Sequence, residues 1–196
     1  MRIILIGASG TIGQAIAEAL SPQHELIKVG RTSGDLQADL AQPDSLRALF
    51  QAVPAFDAVV CAAGQAAFGP LEDLTDADFQ LGLTNKLMGQ VNLVRFGRAA
   101  ISDGGSFTLT SGVLSQHPTP ESAAISMTNA GLEGFARAAA LSLTRAIRIN
   151  VVSPPWVSET LAAMNQDPAS GRPAKTVAEA YLASVEGAMT GQVLDA

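Results

Sequence analysis

The chain has 196 residues, 47% hydrophobic and 15% charged, which suffices to bury one core and fits a single domain over 1–196. A net charge of -6 and only three lysines (Lys28, Lys86, Lys175) argue against a broad phosphate-tracking surface, and so against a nucleic-acid partner. The 18 glycines and 10 prolines are scattered, so no linker, low-complexity tract or fixed-period repeat divides the chain. The apolar run after Met1-Arg2 is too short for a signal peptide or a membrane span. The single Cys61, in the apolar run D-A-V-V-C, reads as a buried structural thiol and allows no intrachain disulfide. The expectation is a cytoplasmic protein with no membrane partner and no metal.

Short apolar runs alternate with helical patterns. Arg2–Ile6 is a β-branched strand ended by Gly7, and 11–20 has helical spacing, with Ile12, Ile16, Ala19 and Leu20 on one face. A second strand runs over 26–29. A short helix covers 43–52, with Pro43 in its first turn and Asp44 near the positive end of the dipole. Residues 57–62 form a third strand, apolar almost throughout, as a strand covered on both faces should be. A long helix is predicted from Thr75, which with Asp78 resembles a capping box, to about Ala100. A fourth strand at 106–110 follows Gly104-Gly105, a second long helix covers 122–144, and a fifth strand at 147–152 stops at Pro154-Pro155. Helices at 157–165 and 176–188 and a strand at 192–195 complete the chain. Such alternation implies right-handed βαβ units in a doubly wound, Rossmann-type α/β fold, with ligands beyond the carboxyl ends of the strands.

The turn G-A-S-G-T-I-G, residues 7–13, joins the first strand to the first helix. Gly7 permits the tight turn, Gly10 lets backbone approach a diphosphate, and Gly13 lets the helix pack closely. Ser9, Thr11 and Ile12 complete the turn, and the helix N–H groups face the phosphates. Sites that prefer NAD usually carry an acid at the end of the second strand, but here that strand ends V-G-R-T-S. Arg31 can pair with a 2′-phosphate, with Thr32 and Ser33 as hydroxyl donors, so NADP is favoured over NAD. A solvated surface arginine is the alternative. Asp39-Leu40 stands where such a site contacts adenine, and an ordinary helix-start aspartate is the other reading.

These motifs resemble those of the short-chain dehydrogenase/reductase family over nearly the whole chain. A-D-L at 38–40 is similar to the adenine-contacting pair, and C-A-A-G at 61–64, with Ala62, Ala63 and Gly64, sits where the family has N-N-A-G. T-N-K-L-M-G at 84–89 resembles the N-x-x-G helix, and G-G-S-F-T-L-T-S at 104–111 the strand leading to the family serine. S-A-A-I-S-M-T-N-A-G-L-E-G-F at 122–135 is similar to the helix that carries the family's tyrosine and lysine. I-R-I-N-V-V-S-P at 147–154 and T-G-Q-V-L-D at 190–195 match the closing segments. The resemblance implies hydride transfer between a nicotinamide and a carbonyl or alcohol. It assigns Pro154, Val157 and Thr160 to the nicotinamide end of the cofactor.

The same resemblance shows what is missing. The tyrosine position falls on Ile125 and the lysine position on Asn129. The serine position falls on Gly112, with Ser111 one residue early, and only Asn85 matches. Asn85 and Ser111 are the candidate catalytic residues, although Asn85 reads equally as a holder of a buried main-chain group. Tyr181 reads as a packing residue, His24 as surface, and His117 as a solvated loop histidine or a replacement acid. Lys86 follows Asn85, and helical rotation turns it off that face, so it reads as a solvated or interface lysine. Trp156 lines the pocket or packs a lid, and 165–175 is a loop that either covers a ligand or merely connects.

Three functions follow: an NADP-dependent oxidoreductase with an altered acid and a small-molecule substrate, an NADP-binding sensor without turnover, or an interaction module with a vestigial pocket. The two long helices carry small-residue faces that permit close helix–helix approach, and the resemblance to the family, which pairs these helices across a dimer, implies a homodimer or homotetramer through them.

Overall fold

The computed structural model describes all 196 residues. Seven strands form one parallel sheet: β1 (Arg2–Ile6), β2 (Glu25–Gly30), β3 (Leu36–Gln37), β4 (Phe56–Cys61), β5 (Ile101–Thr110), β6 (Arg148–Ser153) and β7 (Val193–Asp195). Their order is β3-β2-β1-β4-β5-β6-β7, so the chain reverses its direction of winding between β1 and β4. Crevices that open beyond the carboxyl ends of the strands at such a reversal are where this architecture binds ligands.

Helices α1 (Thr11–Leu20), α2 (Pro43–Ala52), α3 (Asp76–Leu81), α4 (Met88–Gly97), α5 (Ala123–Ala140), α6 (Ser158–Ala163) and α7 (Ala174–Glu186) flank the sheet. Alternate side chains of β1 feed opposite cores. Ile4 and Ile6 pack with Leu49 and Phe50 of α2, Leu93 of α4 and Leu132 of α5. Ile3 and Leu5 pack with Ile16 and Leu20 of α1 and Val177 and Tyr181 of α7. Both layers are apolar, which is why the sheet strands read as continuous hydrophobic runs.

The predicted elements are present with altered bounds. β3 escaped the reading because a two-residue strand leaves no periodicity. β5 starts at Ile101, not Ser106, across an irregularity in its pairing with β4. α5 stops at Ala140, and the positive φ of Arg145 (58°) and Ala146 (54°) turns the chain into β6. The expected continuous helix from Thr75 to Ala100 is instead three pieces. Thr75 and Asp78 form the full capping box of α3. A π-helical turn, Gly82–Leu87, then separates α3 from α4. Gly82 is pressed against α5 there, since a Cβ on it would lie 2.6 Å from Thr128 Oγ1. Such widened turns concentrate at functional sites, because they rotate one residue out of helical register.

Candidate active site

The turn after β1 is built on two glycines. Gly7 has φ of 83°, and a Cβ on Gly13 would stand 1.9 Å from the Gly7 carbonyl oxygen. Any side chain at Gly13 would push α1 off the turn. Gly10 caps α1 without a side-chain hydrogen bond, and the first N–H to enter the helix ladder is that of Gln14, to Gly10 O. The preceding N–H groups of α1, on Thr11, Ile12 and Gly13, are the ones a helix start offers to an anion.

Beside this turn lies a cleft of about 230 Å³, lined by Gly7, Ser9, Gly30, Arg31, Asp39, Leu40, Ala63, Gly64, Gln65 and Asn85. Across the carboxyl ends of β4 and β5 lies a larger cavity of about 600 Å³. Gly64 and Gln65 border both. The cavity wall combines Lys86, Ser111, Ile125, Asn129, Pro154 and Thr160 with an apolar side of Phe68, Leu81, Val113, Leu114 and Trp156. The Phe68 and Trp156 rings stand 6.0 Å apart, so Trp156 belongs to the cavity.

The structure thus gathers most of the residues singled out from the sequence, with exceptions. Thr32 is exposed outside the cleft, and its carbonyl accepts from Gln37 Nε2 at 3.2 Å. Val157 is buried in the core of α1 and α7 and does not line the cavity. Ala62 packs against that core too, with its carbonyl oxygen 2.8 Å from where a Gly7 Cβ would stand. Asp39 accepts the Ala41 N–H at 2.9 Å, as a turn aspartate does. His117 borders a separate small pocket with Arg172 and Asp195, and the Tyr181 hydroxyl is buried at 2.6 Å from Thr110 Oγ1. Neither reaches the cavity.

The two residues proposed for catalysis are otherwise engaged. Asn85 Oδ1 accepts the Gln65 N–H at 2.8 Å and faces the smaller cleft, the main-chain-holding alternative read from the sequence. Ser111 Oγ donates to Glu133 Oε1 at 3.1 Å. That carboxylate is buried, also receives Ser115 Oγ, and pairs with Arg137 Nη2 at 3.3 Å. Glu133 escaped the sequence reading, although it lies one helical turn beyond Asn129 on the same face of α5.

Lys86 is not the solvated or interface lysine expected from the sequence: it is half-buried and lines the cavity. Its stem lies over the turn after β4, where a Cβ on Gly64 would fall 2.7 Å from Lys86 Cγ. Its Nζ donates to the Ser111 carbonyl at 2.9 Å, on the floor of the cavity. Lys86 does point away from Asn85, as helical rotation suggests, but the side it points to is the cavity and not solvent. The missed signal was the spacing. Counting back from Gly89, the first position of N-x-x-G is Lys86, and Asn85 is one residue early. Burial pushes the Lys86 ammonium down to about 8. The Cys61 thiol, itself buried, is pushed up to about 12.

One buried side-chain atom has no partner: Asn129 Oδ1. Its amide nitrogen makes only a long contact, 3.4 Å, with Gly112 O. An orphaned acceptor in the wall of a cavity is costly unless a ligand hydroxyl or N–H completes it.

A family model described as enoyl-(acyl carrier protein) reductase, of the short-chain type, matches residues 12–188. The chain belongs to the short-chain dehydrogenase/reductase family. The structure of the protein lin1944 from Listeria innocua superposes with a TM-score of 0.96 at 40% identity, covering 100% of this chain and 98% of that one. A small-chain dehydrogenase in complex with NADPH superposes with a TM-score of 0.90 at 27% identity, covering 100% and 96%. Hydroxynaphthalene reductase arp2 of Aspergillus fumigatus is 28% identical over 160 residues, 79% of this chain and 56% of that enzyme. The chain therefore spans little more than half of that reductase. No helix is long and apolar enough to cross a membrane.

Proposed function

We propose that this protein is an NADP-dependent oxidoreductase of short-chain type, acting on a carbonyl or alcohol with an apolar body. The carrying observation is that the glycine-turn cleft and the larger cavity lie side by side, with Gly64 and Gln65 in the walls of both, so that one dinucleotide would reach from the first into the second. Support also comes from the 27%-identical dehydrogenase whose structure contains NADPH.

The residues fit the cofactor. The turn at Gly7 and Gly13 leaves room only for backbone, so the start of α1 would hold the diphosphate. Arg31, exposed at the rim of the cleft, would hold the 2′-phosphate that distinguishes NADP from NAD. Asn129 Oδ1, unpaired in the protein, would accept a ribose hydroxyl at the nicotinamide end. When bound, the nicotinamide supplies or accepts the hydride. Phe68, Leu81, Leu114 and Trp156 would hold the substrate body and keep water from the reacting carbon.

A second reading, NADP binding with little turnover, is favoured by one observation: Ile125, at the tyrosine position, closes the cavity with a hydrocarbon that has no proton to give. We also infer association through α4 and α5, whose outer faces expose Met88 and Met127. A reducing, cytoplasmic setting is proposed on the single buried Cys61.

Calorimetry of the purified protein with NADPH and NADH, followed by a screen of aldehydes, ketones and quinones, tests the function. Binding that favours NADPH, with oxidation of NADPH by a panel member, supports the oxidoreductase. Binding without turnover supports the sensor, and no binding removes both.

A further inference from the structure

We propose that Lys86 replaces the missing tyrosine, its Nζ giving the proton to the substrate carbonyl oxygen in reduction and taking it from the alcohol in the reverse direction. This rests on the reading that the cavity receives the nicotinamide end of the cofactor.

The ammonium has three N–H donors, and the protein engages one of them, through the Ser111 carbonyl at 2.9 Å. The other two are left for whatever enters the cavity that Lys86 lines. That single bond fixes the head against the end of β5, and Gly64 fixes the stem beneath it. A proton donor needs this kind of position before it needs a suitable acidity.

No competing acid is present in the cavity wall. Ile125 has none, and Asn129 offers an amide. The Ser111 hydroxyl is turned to Glu133. His117 and Tyr181 lie elsewhere. The titratable groups packed around Lys86 are few. Cys61 on β4 is a neutral thiol at working pH. Glu133 on α5 stands behind Ser111 and is paired with Arg137. Tyr181 on α7 is bonded to Thr110, and burial keeps its phenol protonated. None gives Lys86 a close carboxylate partner, so its salt-bridge role is vacant while burial holds its acidity near neutral, about 8.

The step balances. In reduction, a hydride from the reduced dinucleotide forms the new C–H bond at the carbonyl carbon. The C=O π pair moves to oxygen, which forms an O–H bond as one Lys86 Nζ–H bond breaks. The alcohol and the oxidised dinucleotide leave, and the neutral amine regains a proton from solvent.

The three lysines fall in separate peptides, so competitive acetylation with acetic anhydride across pH, read by mass spectrometry, reports Lys86 in the intact protein. Labelling of Lys86 is expected to rise with a midpoint near 8 and to be slowed by NADPH. A midpoint near the value of a lysine in water, about 10.4, overturns the proposal. Lys86→Met and Lys86→Arg are expected to lower turnover of NADPH with a reducible panel carbonyl by roughly 10²–10⁴-fold, while calorimetry shows NADPH still bound. Arginine keeps the charge but holds its protons too tightly to give one. Unchanged turnover in Lys86→Met with binding intact overturns the proposal alone. A wild type that binds no NADPH overturns the reading of the cavity and the proposal with it.

Discussion

The two halves of the groove are built by different means. At the smaller cleft, main chain does the work: Gly7, Gly10 and Gly13 bring backbone close, and a Cβ at Gly13 would collide with Gly7 O at 1.9 Å. At the larger cavity, side chains do the work, and Ile125 and Asn129 line it where the resemblance to the family would place a tyrosine and a lysine. Where backbone builds the site, as at Gly7 and Gly13, a side chain has no room, so those positions are tightly constrained. A side-chain-built site can exchange one donor for another on a neighbouring element, here Lys86 from the turn before α4 for a tyrosine on α5.

The contrast can be broken most severely at Lys86, where Lys86→Met should lower turnover by roughly 10²–10⁴-fold while calorimetry still detects NADPH binding. Next in size is Gly13→Ala. Overpacking against Gly7 should cost about 1–3 kcal/mol of stability in thermal or denaturant unfolding and abolish tight NADPH binding. Arg31→Ala should weaken NADPH by about 1.5–3 kcal/mol, the worth of a hydrogen bond to a charged group, and leave NADH unchanged in calorimetry. Equal losses for both dinucleotides would remove Arg31 from the 2′-phosphate.

The smallest effect is expected at Asn129. Asn129→Leu removes an acceptor that the protein itself leaves unpaired, so the apo protein should be as stable or more so. NADPH binding should fall by about 0.5–1.5 kcal/mol, the net value of one hydrogen bond. The pH dependence sharpens the same comparison. Reduction needs Lys86 protonated, so its rate should be highest below about 8 and fall as pH rises through that value. Alcohol oxidation needs the neutral amine and should rise over the same range. Both dependences should vanish in Lys86→Met.

Much of the fold was legible because parallel strands covered on both faces announce themselves as short β-branched runs, as 2–6 and 57–62 do. The cleft was legible for the reason that it is made of backbone: glycine spacing is written directly into the chain. The cavity was harder. Its key lysine points away from Asn85, as ordinary helical rotation suggests, and only the fold shows that the cavity lies on the Lys86 side. Nothing in the sequence marks Glu133, because only the fold shows Ser111 and Ser115 converging on it. β3 is two residues long and carried no pattern to find.

The most direct measurement is a crystal structure of the protein grown with NADPH. The 2′-phosphate should lie at Arg31, the diphosphate over the start of α1, and the nicotinamide in the cavity with Lys86 Nζ and Asn129 Oδ1 beside it. A dinucleotide bound elsewhere, or a nicotinamide turned away from Lys86, would contradict the account.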